Sequence, residues 1–200
     1  MVANLANSLE INLRFLNPND SPKVREWLLD PYVLDMTFVI PGPERQNLLP
    51  FDDKVMAQYI NALLDDKSRR TFAIEANGEH VGNVGLKEIN LEGHRAELFI
   101  EIGESEYRGR GVGKAAMILL LDYVFDKMAL DELCLEVLEF NEPALRLYKM
   151  LGFETKHRSG WHYDKHGRYW QVWWMCLPKA HWFDVREGYL LPENLSLRGL

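Results

Sequence analysis

Residues Arg108 to Gly113 read Arg-Gly-Arg-Gly-Val-Gly, between an alternating strand pattern that ends near Gly103 and an apolar helix pattern that runs to about Met128. Strand, glycine-dense turn and long helix in that order demand an α/β arrangement with a bare backbone at the junction. Glycine has no Cβ, so the turn adopts positive φ at little steric cost and its N–H groups approach a ligand closely. The helix that follows adds unpaired N–H groups and the positive end of its dipole, which together favour an anion, most often phosphate.

Two phosphate cradles are tested by their offsets. A P-loop requires Gly, four residues, then Gly-Lys-Ser/Thr; here Gly113-Lys114 is followed by Ala115, which ligates no magnesium, and the position five before Gly113 is Arg108. A dinucleotide fingerprint requires glycine at positions one, three and six. Counting from Gly109 and Gly111, position six is Lys114, and the preceding strand lies mid-chain, outside a simple βαβ unit.

The rest of the chain sets the context. Ile11 to Leu16 alternates as a first strand, and Pro22 through Leu29 reads as a short helix with Ser21 as N-cap. Met36 to Pro50, with Pro41, Gly42, Pro43 and Pro50, reads as a long loop. A helix is expected over Asp52 to Leu64, and Phe72 to Ala76, Asn77-Gly78 and Val81 to Ile89 form a hairpin. A turn at Glu92-Gly93 leads to a third strand, Ala96 to Gly103. After the helix with apolar residues Met117, Leu121, Val124, Phe125 and Met128 come a strand at Leu133 to Leu138, a helix from Asn141 to about Leu151 closed by Gly152, and a final hairpin. That hairpin joins His162-Tyr163 to Tyr169 through Leu177, and within it Trp173 and Trp174 must face opposite sides.

With 200 residues, 47% of them apolar, the chain buries a substantial core in one domain. No apolar stretch approaches the roughly 18 to 20 residues that span a bilayer, and Met1 to Glu10 lacks the basic start and apolar run of a secretory signal. A cytoplasmic protein without a membrane partner is expected. The net charge of −7 argues against nucleic acid as partner and suits a cationic substrate. Cys134 and Cys176 have no CxxC pairing and no clustered histidines, so neither a disulfide framework nor a metal site is indicated; both read as small core residues.

The order strand, helix pair, three-strand meander, glycine loop and helix, strand, helix, hairpin resembles the GNAT N-acetyltransferase superfamily. Arg108-x-x-Gly111-x-Gly113 is similar to that family's acyl-CoA pyrophosphate loop. Asn141-Glu142-Pro143-Ala144-Leu145-Arg146-Leu147-Tyr148-Lys149-Met150-Leu151-Gly152-Phe153 is similar to its Asn-x-x-Ala-x-x-x-Tyr-x-x-x-Gly-Phe helix. Within the superfamily, Ala96-Glu97-Leu98 and Gly167-Arg168-Tyr169 resemble the branch of ribosomal-protein N-terminal and spermidine acetyltransferases.

The resemblance implies an α/β (α+β) GNAT fold: a mixed, mostly antiparallel sheet of about six to seven strands flanked by about four helices. It covers residues 11–177, leaving 1–10 as a flexible N-terminus and 178–200 as an extension that packs on the domain or on a partner subunit. It also implies acetyl-CoA as co-substrate, no metal, and direct attack by a primary amine in a ternary complex. The acceptor is then a protein N-terminus or a small amine such as a polyamine or amino sugar. Two other readings remain open: a non-catalytic acyl-CoA-binding module and an enzyme for longer acyl donors.

For the site, the resemblance implies donor contacts from Ile102, Arg108, Gly109, Arg110, Gly111, Val112, Gly113 and Lys114, and from Asn141, which is also a plausible N-cap. Tyr148 corresponds to the tyrosine that protonates the leaving thiolate; a phenol near pKa 10 stays protonated at neutral pH. Glu97, eleven residues before Arg108, corresponds to the base found in several members. Alternation puts Glu97, Phe99 and Glu101 on one strand face, an electrostatic site for a cation. The acceptor pocket is expected between the loop Met36 to Pro50 and the final hairpin, with Phe38, Trp161, Tyr163 and Trp170 available to line it. The apolar tail from Trp182 to Leu191 suits a homodimer contact or a lid.

Overall fold

A computed structural model describes residues 9–36, 53–164, 166–189 and 195–197. The strands are β1 (Ile11–Phe15), β2 (Arg70–Ala76), β3 (Glu79–Asn90), β4 (Arg95–Ile102), β5 (Glu132–Leu138), β6 (Glu154–Tyr163), β7 (Tyr169–Pro178) and β8 (Leu195–Leu197). The helices are α1 (Ser21–Leu29), α2 (Pro31–Met36), α3 (Asp53–Asp65), α4 (Val112–Lys127), α5 (Glu142–Met150) and α6 (Lys179–Arg186). The strands form one sheet in the order β6-β7-β5-β4-β3-β2-β1-β8. Among the described residues only β4–β5 and β1–β8 pair parallel. The expected mixed, mostly antiparallel sheet is therefore present, with the three-residue β8 added at its edge. Two short helices, α2 and α6, also go beyond the expected set; neither is long enough to show an apolar period.

Local chemistry explains most of the turns. Asn77 and Gly78 join β2 to β3 with φ of 52° and 82°, the pair of positive values that a tight hairpin of this hand requires. Asn141 caps α5, its Oδ1 accepting from the Ala144 N–H at 3.3 Å. The start of α1 differs from the expectation. Ser21 is its first helical residue, and the capping box is formed upstream by Asn17 and Asp20 around the 3-10 turn Pro18–Asp20. Asp20 also receives both arms of the Arg14 guanidinium at 2.7 and 2.8 Å. Burial alone would raise the Asp20 carboxyl, but Arg14, then His80 and the Asn17 N–H, hold it well below the usual carboxylate range.

The sheet separates two cores. On one face Phe72, Ile74, Val84, Leu86 and Leu98 pack with α4, which is buried almost all round, from Ala115 to Leu121 and at Val124 and Phe125. On the other, Ala73 meets Leu16, Val24, Trp27, Val33, Met56 and Ile60 beneath α1, α2 and α3. Trp182 of α6 is fully buried in the first core, and its Nε1–H donates to Asp122 of α4 at 3.0 Å. The expectation for the cysteines is corrected: Cys134 and Cys176 are directly opposite in the β5–β7 register and joined as a disulfide. Cysteines 42 residues apart in sequence gave no local signal of this pairing. Among the described residues no helix is long and apolar enough to cross a membrane.

Candidate active site

β4 and β5 pair only where Arg95–Glu97 meets Glu132–Cys134; beyond Glu97 they part. Parallel strands that diverge leave a crevice at their C-terminal ends, the usual place for a ligand in such sheets. Here it is a cleft of about 910 Å³ whose walls come from α1, α2, α3 and the β2–β4 face on one side and from the glycine turn, β5 and α5 on the other.

The glycine turn forms the donor wall. Gly109 and Gly111 have φ of 72° and 86°, and Gly111 is the left-handed residue that opens α4. Among the described residues no side chain caps this helix, so its first N–H groups remain available. Ile102, Arg108, Gly109, Gly111, Gly113 and Lys114 line the cleft. Arg110 and Val112 are not among the lining residues. Val112 is fully buried, and the Arg110 guanidinium lies over the Tyr107 ring, 5.5 Å from its centroid. Arg108 is also committed to the protein: Nε donates to the Ile102 carbonyl at 2.9 Å, Nη2 to Asp30 at 2.8 Å, and the guanidinium stacks on Tyr32. It ties the α1–α2 junction to the end of β4 and leaves Lys114 as the cation on this wall.

Across the cleft stand Asn141, Pro143, Ala144, Leu147 and Tyr148 of the α5 segment. Tyr148 is 6% exposed, and its hydroxyl has no hydrogen-bond partner among the described residues. Burial raises its pKa further above the usual phenol value, so it stays protonated.

The other end is a checkerboard built by the register. Thr71, Gly85 and Phe99 align across β2, β3 and β4; Ala73, Asn83 and Glu101 form the next row; Lys87 faces Glu97. Glu97 forms an ion pair with Lys87. Glu101 accepts from Asn83 Nδ2 at 2.9 Å. Burial raises the Glu101 carboxyl above its ordinary range, with the Asn83 hydrogen bond opposing. Behind Asn83, His80 Nε2 is 3.0 Å from Asn83 Oδ1, and His80 Nδ1 approaches Asp20 at 3.4 Å without a hydrogen bond.

Sequence reasoning found Glu97 and Glu101 but missed Asn83, Lys87, Arg69 and Thr71, which line the same chamber. Period-two alternation in β2 and β3 was the available signal. The hairpin aromatics do not line the cleft. Trp161 and Tyr163 are exposed, and Trp170 packs on Phe140 and donates to Asp164 at 2.8 Å. β6 and β7 lie beyond β5, so their hairpin points away from the β2–β4 face. Tyr32, Val33 and Met36 of α2 do line it; Phe38 and the rest of the expected loop lie outside the described residues.

The sequence matches the acetyltransferase (GNAT) domain family over residues 10–154. It is 37% identical over 114 residues to spermidine N(1)-acetyltransferase of Escherichia coli K12, covering 57% of this chain and 61% of that protein. The chain thus spans about three-fifths of that relative's length. An N-acetyltransferase 9-like protein of Nematostella vectensis is 28% identical over 144 residues, 66% of this chain and 68% of the relative. Among solved structures, spermidine N-acetyltransferase from Vibrio cholerae in complex with CoA and spermine superposes with a TM-score of 0.76 at 24% identity, covering 87% of this chain and 98% of that one; at this identity the likeness speaks for the fold. The family match runs from β1 to the start of β6 and so takes in both motifs and both walls of the cleft: the chain belongs to the acetyltransferase (GNAT) domain family.

Proposed function

We propose that the protein transfers an acetyl group from acetyl-CoA to a primary amine by direct attack. The supporting observation is one continuous cleft, opened where β4 and β5 part, that carries an anion cradle and a buried phenol on one side and carboxylates on the other. Acetyl-CoA supplies the thioester. The uncapped N–H groups at Gly111 to Lys114 and the Lys114 ammonium suit its phosphates, and Gly113 has no Cβ to intrude. Glu101 takes the proton that an ammonium must lose before its nitrogen forms the amide bond. Tyr148 returns a proton to the thiolate released as the C–S bond breaks. Glu97, held by Lys87, contributes fixed charge and leaves proton removal to Glu101.

The acceptor is a small amine or a peptide N-terminus; the Escherichia coli relative, named for spermidine, puts polyamines in the first panel. Thiol release from acetyl-CoA with a panel of amines tests the reading. Turnover is expected, and Tyr148→Phe is expected to lower kcat roughly a hundredfold with acetyl-CoA affinity unchanged. CoA binding without turnover on any amine, or preference for a longer acyl donor, overturns it.

A further inference from the structure

The chamber beside Glu101 is built for a negative group as well as a positive one. Arg69 Nε and Thr71 Oγ1 both belong to residues that line the cleft, and both atoms are buried without a hydrogen-bond partner among the described residues. Thr71 is 6% exposed. Buried polar atoms in folded proteins are nearly always satisfied, and leaving one unpaired costs about 1–3 kcal/mol. A guanidinium N–H donor and a hydroxyl donor are together a set that a carboxylate satisfies.

The sheet register brings these donors within reach of the reacting end. Gly85 sits between Thr71 and Phe99, and a Cβ there would collide with the Arg70 carbonyl oxygen and fall 3.0 Å from the Phe99 ring, so the glycine is required by the close backbone and also leaves that ring its room. Over that ring lies the Arg69 guanidinium, 5.7 Å from the centroid. Tyr59 of α3, another lining residue, feels both charges: Arg69 lowers its pKa and Glu101 raises it, while burial makes the largest contribution. Arg69, the residue before β2, and Glu101 of β4 both line this cleft.

The charged side chains lining the cleft beyond the glycine turn are, among the described residues, Arg69, Lys87, Glu97, Glu101 and Glu136, and Glu97 is already paired with Lys87. A polycation would set a like charge against Arg69, whereas an amine that carries its own carboxylate would pair with it.

We propose that the acceptor is a primary amine that also carries a carboxylate, its acid group held by Arg69 and Thr71 and its amine presented at Glu101. The inference rests on the acetyltransferase reading and narrows its substrate class.

The test is a set of matched pairs assayed by thiol release with acetyl-CoA: glycine, β-alanine, 4-aminobutyrate and L-amino acids, each against its carboxamide, with spermidine alongside. The acid is expected to exceed its amide at least tenfold in kcat/KM. An α-carboxamide lowers the amine pKa and leaves more free base at neutral pH, so for those pairs the preference cannot come from amine ionisation. Arg69→Gln is expected to raise KM for the acid about tenfold with little change in kcat and none in KM for the amide, whose turnover serves as the fold control. Thr71→Val gives a smaller effect in the same direction. Should Arg69→Gln fail to fold, a CoA-dependent rise in Tm of the parent with the acid, and none with its amide, carries the proposal. Turnover of spermidine with none of the acids, equal rates for acid and amide, or an equal loss on both in Arg69→Gln overturns the inference and leaves acetyl transfer standing. No turnover on any amine overturns both.

Discussion

Glu101 and Glu97 lie on the same face of β4, yet their neighbours give them different chemistry. Glu97 is neutralised by Lys87, whereas Glu101 is desolvated and held by an amide. A raised carboxyl must lose its proton before it can accept one, so kcat/KM should fall as pH drops through a value above the ordinary carboxylate range. Glu101→Gln should remove that limb and lower the rate by roughly a hundredfold; Glu97→Gln should retain it. The stability sign is opposite. A group with a raised folded pKa contributes stability that is present below its unfolded pKa and lost as pH rises through the folded one. Glu101→Gln should therefore melt higher than the parent at pH 7.5, with the gap closing toward pH 4; a lower Tm at pH 7.5 would show that the carboxylate is not desolvated. The two carboxylates were legible because period two is local. The residues that differentiate them, Asn83 and Lys87, are on another strand, and only the register decides which carboxylate each one meets.

At the scale of elements, the N-terminus of α4 combines two glycines with different duties. Gly111 has φ of 86°, so Gly111→Ala places a Cβ in the left-handed region at a cost of about 1–2 kcal/mol. Gly113 is helical, and a Cβ there would meet only the side chains of Ile100, Leu147 and Ile102 at 3.8–3.9 Å. Gly113→Ala should accordingly hold or raise Tm, since alanine is favoured over glycine inside a helix by about 1 kcal/mol. It should still raise the Kd for CoA about tenfold, or about 1.4 kcal/mol, because the new methyl narrows the cradle. Calorimetric titration of the two variants separates backbone strain from lost donor contact, and an unchanged Kd in Gly113→Ala would remove the cradle from the donor site. The turn and its helix were readable because glycine spacing and helix start are written within a few residues. The parting of β4 and β5 was not: β5 pairs with β7 along all of Glu132–Leu138 but with β4 over three residues only, a choice between distant strands. The same limit explains Arg108, whose partner Asp30 is 78 residues away.

On the scale of the whole molecule, the segment after β7 braces both donor walls. Trp182 fills the core beneath α4 and bonds to Asp122, and Arg186 pairs with Asp122 at 3.2 Å and Asp126 at 3.5 Å. The Tyr189 hydroxyl donates to the Met150 carbonyl at the end of α5, and its ring lies 5.0 Å from the Lys114 ammonium. β8 then extends the sheet beside β1, while 190–194 and 198–200 lie outside the described residues. Since α5 carries Tyr148 and α4 carries the cradle, this brace connects fold stability to the donor site. Trp182→Ala removes a fully buried indole and leaves the Asp122 carboxylate without that donor, which should cost about 3–5 kcal/mol in urea unfolding. Each of these contacts is made within one chain, so the loss should not depend on protein concentration between low and high micromolar. A loss that shrinks as concentration rises would show instead that the tail is secured by a second copy. With folding maintained by low temperature, Trp182→Ala should also weaken CoA binding while leaving the acid-over-amide preference at Arg69 intact, because the brace reaches α4 and α5 but not the β2–β4 face.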